Sequence, residues 1–206
     1  MNTALSAAET REMIAQGATV LDFRPVAAFV EGLVPRSIFL SGAEATDWLQ
    51  LLDEEVDRVV LLTAPGEEAQ WFQRIRQSGA VEVLGVLDAA AALEGKRDVL
   101  IAISAEEMAI DYRFDEFYLI DVREEAEYEE AHLADAENLP LSEISGALPD
   151  LDPNMNIYLY AETPAAACFA ASLFKRDGFH KVRICIEGFE GLAAAGIEVV
   201  KKKKKA

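Results

Sequence analysis

Continuous apolar runs of strand length alternate along this chain with acid-rich amphipathic stretches. In the second half, FYLIDV (117–122), NIYLYA (156–161) and KVRICIEG (181–188) are too uniformly apolar for a sheet with one wet face. They read as buried parallel strands. EEAEYEEAHL (124–133) predicts a helix with acidic residues in its first turn, where the positive end of the helix dipole favours them. PAAACFAASLFKRDG (164–178) predicts a helix with Ala, Phe and Leu on its inner faces, a basic last turn and Gly178 as C-cap. FEGLAAAG (189–196) predicts a short closing helix capped by Gly196, and the first 17 residues read as a further helix. Strands alternating with helices imply an α/β architecture, a mostly parallel sheet covered by helices on both faces.

The pattern occurs twice. VLDFRPVAAFVEGLVPRSIFL (20–40) and LIDVREEAEYEEAHLADAENL (119–139) align at an offset of 99, which places Asp22 on Asp121, Arg24 on Arg123, Phe29 on Tyr128 and Glu31 on Glu130. The same offset sets Pro65 on Pro164, Gly79 on Gly178 and Val83 on Val182. One offset shared by three separated blocks implies two copies of a domain of about 100 residues. The expected division is 1–97 and 98–200, with a boundary near the charged, Gly95-containing LEGKRDVL (93–100) and a lysine-rich tail over 201–206.

Composition narrows the functional classes. The 206 residues are 51% hydrophobic with a net charge of −18. That field opposes nucleic-acid binding, which requires a basic face. The one basic cluster, KKKKKA, reads as a solvated end. No apolar run has the length of a membrane span. The N-terminus lacks the basic start and apolar core of a secretory signal, so a cytoplasmic location is expected. Cys168 and Cys185 are too few for a disulfide framework, and with His132 and His180 they match no metal-ligand spacing. No metal or cofactor is expected.

The second copy resembles a rhodanese domain: strand, Asp-x-Arg, acidic helix, a turn, then Asn-hydrophobic-Pro. The matching residues are Asp121, Arg123, His132, Ala136, Asn138 and Pro140. FKRDGFHKVRICIEGFEGLAAAGIEV (174–199) resembles the family's ending, with only Gly188 left of its Gly pair. The first copy resembles it more weakly. The resemblance implies two tandem rhodanese-like domains, similar to the modules found alone or following a metallo-β-lactamase-fold persulfide dioxygenase. It implies, for an active member, a cysteine directly after the central strand and a six-residue anion-binding loop. The thiolate there takes up a sulfane sulfur and passes it on.

Here Ala161 stands at the cysteine position and Ala166 at the usual arginine position. The loop is expected over Ala161, Glu162, Thr163, Pro164, Ala165, Ala166 and Ala167, with its helix end satisfied by water. Its counterpart is Leu62, Thr63, Ala64, Pro65, Gly66 and Glu67, with Leu62 at the nucleophile position, or Thr63 if the loop is shifted by one residue. Neither copy places a thiol there, and Glu67 and Glu162 put negative charge where an anion would sit. Cys168 and Cys185 read as core residues, with a displaced sulfur acceptor as the alternative. Asp121, Arg123, His132 and Asn138 are candidate pocket-lining residues; Asp121 and Arg123 are expected to pair with each other or with loop backbone, and His132 to hydrogen-bond structurally. Trp48 and Trp71 are expected to pack. The expected function is a catalytically inactive binding, regulatory or scaffolding protein. The alternatives are a sulfurtransferase or sulfur carrier using Cys168 or Cys185, and an accessory module for a persulfide-handling metalloenzyme.

Overall fold

The computed structural model describes residues 4–87, 93, 97–114 and 117–202. The chain divides into two compact units, Met1–Val99 and Leu100–Ala206. Gly95, expected at the boundary, and residues 203–206 of the expected tail lie outside the described residues.

The first unit runs β1 (Ala4–Leu5), α1 (Ala7–Ala15), β2 (Thr19–Asp22), α2 (Val26–Glu31), β3 (Ile38–Phe39), α3 (Ala45–Trp48), β4 (Arg58–Leu62), α4 (Glu68–Ser78) and β5 (Glu82–Leu87). The second runs β6 (Ile101–Ile103), α5 (Ala105–Phe114), β7 (Tyr118–Asp121), α6 (Glu125–Glu130), β8 (Ala131–Leu133), β9 (Glu137–Asn138), α7 (Ile144–Ala147), β10 (Ile157–Tyr160), α8 (Pro164–Arg176), β11 (Val182–Cys185), α9 (Gly188–Ala194) and β12 (Val199–Lys201). Each unit holds a five-stranded sheet flanked by helices, in the orders β1-β5-β4-β2-β3 and β6-β11-β10-β7-β9, and the pairings in both are parallel. The fold is α/β. Strands β2 and β10 are buried along their whole length, as their unbroken apolar runs require.

Local signals recur with the topology. A reciprocal capping box opens α1, with Ser6 and Glu9 exchanging side-chain and backbone bonds, and Ser104 and Glu107 repeat it before α5. Among the described residues, the non-glycine residues with positive φ, Arg36 (65°) and Asp135 (62°), sit at the same turn of the two units, before β3 and β9.

Two expectations give way. The helix expected over 124–133 ends at Glu130, because Ala131 turns to extended backbone and Ala131–Leu133 pairs antiparallel with Val199–Lys201. The lysine-rich segment is correspondingly not wholly a solvated end. Lys201 lies in β12, the Lys202 backbone N–H donates to Glu130 O at 3.0 Å, and its ammonium reaches Glu129 at 2.7 Å.

Candidate functional site

The carboxyl ends of the parallel strands carry the Asp-x-Arg segments. Asp121 is the last residue of β7, and Arg123 folds back onto it. Nε donates to Oδ1 at 3.0 Å, Nη2 to Oδ2 at 2.6 Å, and the Arg123 backbone N–H to Oδ1 at 3.0 Å. The same Nη2 donates to Ala131 O at 2.8 Å, tying the end of α6 to the sheet. Asp22, Arg24 and Gly32 repeat the construction at 2.9, 2.6 and 2.8 Å. Both pairs are buried. Burial pushes the Asp22 carboxyl up, and the Arg24 bonds pull against it. Burial likewise opposes the Arg123 charge, and the bonds to Asp121 outweigh it. Each pair clasps the strand end to the segment that follows it.

Asn138 belongs to the same clasp. Its amide donates to Asp121 O at 3.0 Å and Arg123 O at 2.9 Å. His132 does not join them. It lies in β8, its ring stacks on Tyr128 at 3.9 Å, and Nδ1 meets Tyr128 O at 2.8 Å.

The turn after β10 differs from the loop expected there. Only Ala161 and Glu162 separate the strand from Thr163, which caps α8 by accepting the Ala166 N–H on Oγ1 at 3.2 Å. Pro164, Ala165, Ala166 and Ala167 are the first turn of the helix, not a loop. Threonine at the cap, proline at the first helical position and an alanine run together favour early helix entry. The Ala166 and Ala167 N–H groups are thereby used within the helix end, the second by Thr163 O, and the side-chain cap stands where water was expected. Ala161 is buried, and its carbonyl accepts the Phe189 N–H at 3.3 Å. Gly188 permits this approach: its φ is 61°, and a Cβ there would lie 2.4 Å from Ala161 O. The Phe189 ring in turn lies 4.0 Å beneath the Arg123 guanidinium carbon.

Strand register decides the counterpart in the first unit. Asp121 pairs with Tyr160, and Asp22 pairs with Leu62. Thr63, rather than Leu62, therefore matches Ala161. Thr63 is buried, and its Oγ1 lacks a hydrogen-bond partner. The turn that follows is filled by the protein's own carboxylates. Gly66 N–H donates to Glu68 Oε1 at 3.1 Å, and the Trp71 indole donates to Glu67 Oε2 at 3.2 Å. Trp71 also stacks on Phe23 at 4.3 Å, and Trp48 is buried.

Both thiols lie in the core: Cys168 on α8 and Cys185 on β11. Burial pushes the Cys185 thiol up to about 11, and the adjacent Glu187 carboxylate adds to the effect. Among the described residues no group of three or more His, Cys, Asp or Glu is placed to hold a metal ion, and no helix is long and apolar enough to cross a membrane. The sequence analysis does not anticipate the aromatic rings beside Arg123, Phe189 at 4.0 Å and Tyr160 at 5.7 Å from its guanidinium carbon, or the covering of Ala161 by Gly188–Phe189; the lone Gly188 is the available signal.

Residues 103–195 match the family described as Rhodanese-like domain. The chain is 34% identical over 70 residues to "Putative sulfur carrier protein YrkF" of Bacillus subtilis, a stretch covering 34% of this chain and 38% of that protein's length. It is 28% identical over 92 residues to "Uncharacterized protein YqhL" of the same organism, covering 45% of this chain and 71% of the relative. Among solved structures it is similar to thiosulfate sulfurtransferase from Pseudomonas aeruginosa, with a TM-score of 0.41 and 17% identity over 98% of this chain and 44% of that one. It is also similar to the rhodanese-like domain of the Alr3790 protein from Anabaena sp., with a TM-score of 0.47 and 21% identity over 51% of this chain and 83% of the domain.

Proposed function

We propose that this chain is a non-catalytic tandem rhodanese-like protein with a binding, regulatory or scaffolding role. The observation that carries this reading is Ala161. A methyl group stands at the end of the central strand, buried, with its carbonyl occupied by Phe189 and the following helix already capped by Thr163. Sulfur transfer requires a thiolate held at the helix N-terminus by N–H donors; this turn has no thiol, and its Ala166 and Ala167 N–H groups are already bonded to Thr163. The first unit's turn presents buried Thr63 and two glutamates, which supports the same reading. The match of residues 103–195 to the rhodanese-like family, and the name of one relative as a sulfur carrier, support a place in sulfur metabolism. Accessory binding to a persulfide-handling metalloenzyme is the form of that role which the tandem resemblance favours.

The test is turnover. Purified chain incubated with thiosulfate and cyanide is expected to form thiocyanate at the uncatalysed rate. Turnover above that rate which persists in the Cys168→Ser, Cys185→Ser double variant would overturn the reading. Turnover abolished by one of those substitutions would establish the alternative of a sulfurtransferase with a displaced cysteine.

A further inference from the structure

At the opposite, amino-terminal edge of the second sheet lies a cleft of about 380 Å³. Its floor is one row of the ladder. Tyr158 pairs with Arg183, and Arg183 with Ile101, so residues of three adjacent strands stand side by side. Phe117, Asn156, His180 and Lys181, each on the approach to a strand, and Val182, the first residue of β11, complete the described lining.

The two sides of the cleft differ chemically. On the apolar side Phe117 stacks on Tyr158 at 3.9 Å with 24° between the rings, and Ile101 is 48% exposed. On the polar side Arg183 lies 5.3 Å from the Tyr158 ring centroid and is held at 3.3 Å by Asp111, which also accepts the Tyr158 hydroxyl at 2.8 Å. Lys181 and His180 are exposed beside it. Among the described residues no carboxylate lines the cleft. Asp111 is engaged with Arg183 and Tyr158, and Asp152, which interacts with Lys181, is fully exposed. On a chain of net charge −18, this is a local concentration of cationic and donor groups against an aromatic wall. The fold does not require it. At the places of Tyr158 and Arg183 the first sheet has Val60 and Gly85, and Ala18 stands at the place of Phe117.

We propose that this cleft binds a small anion that carries a flat ring. The ring packs against Phe117 and Ile101, and the acid group meets Lys181 and the Arg183 guanidinium, with the Asn156 amide as a further donor. The volume falls within the range of about 300–1,000 Å³ usual for small-ligand sites. Arg183, fixed from behind by Asp111, presents its donors without first having to be ordered. The site is separate from the turn after β10, and its fate does not depend on whether that turn is catalytic.

The experiment is an amide NMR titration of the full chain with four probes: benzoate, adenosine monophosphate, benzyl alcohol and inorganic phosphate. At least one of the two ring anions is expected to give saturable shifts at Asn156, Lys181 and Arg183. The alcohol and the phosphate are expected to bind at least tenfold more weakly. Lys181→Glu, an exposed change whose fold is checked by its amide spectrum, is expected to weaken the ring anion at least tenfold. Tighter binding of benzoate points to a free aromatic acid, and tighter binding of adenosine monophosphate to a nucleotide. The proposal is overturned by the absence of saturable shifts with both ring anions, by phosphate or alcohol binding as tightly, or by unchanged affinity in Lys181→Glu.

Discussion

The backbone N–H of Phe189 donates to the carbonyl of Ala161 at 3.3 Å, so the first turn of α9 sits directly on the residue that follows the central strand. Gly188 makes this contact geometrically available. Gly188→Ala is expected to destabilise the chain by about 2 kcal/mol or more, from left-handed backbone strain plus the clash with Ala161 O. Gly146→Ala, on α7 with nothing within 4 Å of the added methyl, is expected to be neutral or to stabilise by about 0.5 kcal/mol. Urea unfolding followed by circular dichroism compares the two. Equal effects would remove the assigned role of Gly188.

The Asp121–Arg123 clasp is buried and supplies donors to three acceptors on two elements. Arg123→Met leaves a buried carboxylate without its cation and the Ala131 carbonyl without that donor, for an expected loss of about 3 kcal/mol. Thermal or urea unfolding measures it. A loss below about 1 kcal/mol, the range of exposed pairs, would contradict the assignment.

Much of this was legible in the residues, and the parts that were not have identifiable causes. The Asp22–Arg24 and Asp121–Arg123 correspondence could be read because the 99-residue offset runs unbroken from β2 through α3 and from β7 through α7. The Thr63–Ala161 match could not be fixed, because the spacing changes by one residue before β4 and β10, and only ladder pairing reveals it. The early start of α8 was written in Thr163-Pro164-Ala165, a cap followed by strong helix formers; the loop expected from the family resemblance outweighed that local signal. Strand β12 was hidden because its final lysine carries no apolar alternation, and its pairing with β8 depends on backbone bonds.

Restoring the thiol alone is not expected to restore chemistry. In Ala161→Cys the sulfur enters a buried position whose carbonyl is held by Phe189, before a helix whose Ala166 and Ala167 N–H groups are taken by Thr163. The thiosulfate–cyanide rate is expected to remain at background. A gain of tenfold or more would show that the turn still forms a working cradle.

Tyr112 donates its hydroxyl to Asp135 at 2.8 Å and is pushed from its ordinary value of 10.0 up to about 12, by burial first and then by that bond. The folded state thus favours the protonated phenol. The stabilisation is complete below pH 10, where the tyrosine of the unfolded chain is still protonated, and it is lost as pH rises toward 12. Tyr112→Phe is expected to show a shallower fall in melting temperature between pH 10 and 12 than the parent chain. Parallel curves would contradict this.

No reactive sulfur serves either turn, and the intact mass of the native chain after exposure to a sulfane-sulfur donor tests this most directly. Cys168 is buried, and Cys185 is buried with its thiol pushed up to about 11, so neither supplies an accessible thiolate at neutral pH. The unmodified mass is expected, with adducts forming only when the chain is unfolded in denaturant. A one-sulfur adduct on Cys168 or Cys185 in the folded protein would contradict the account.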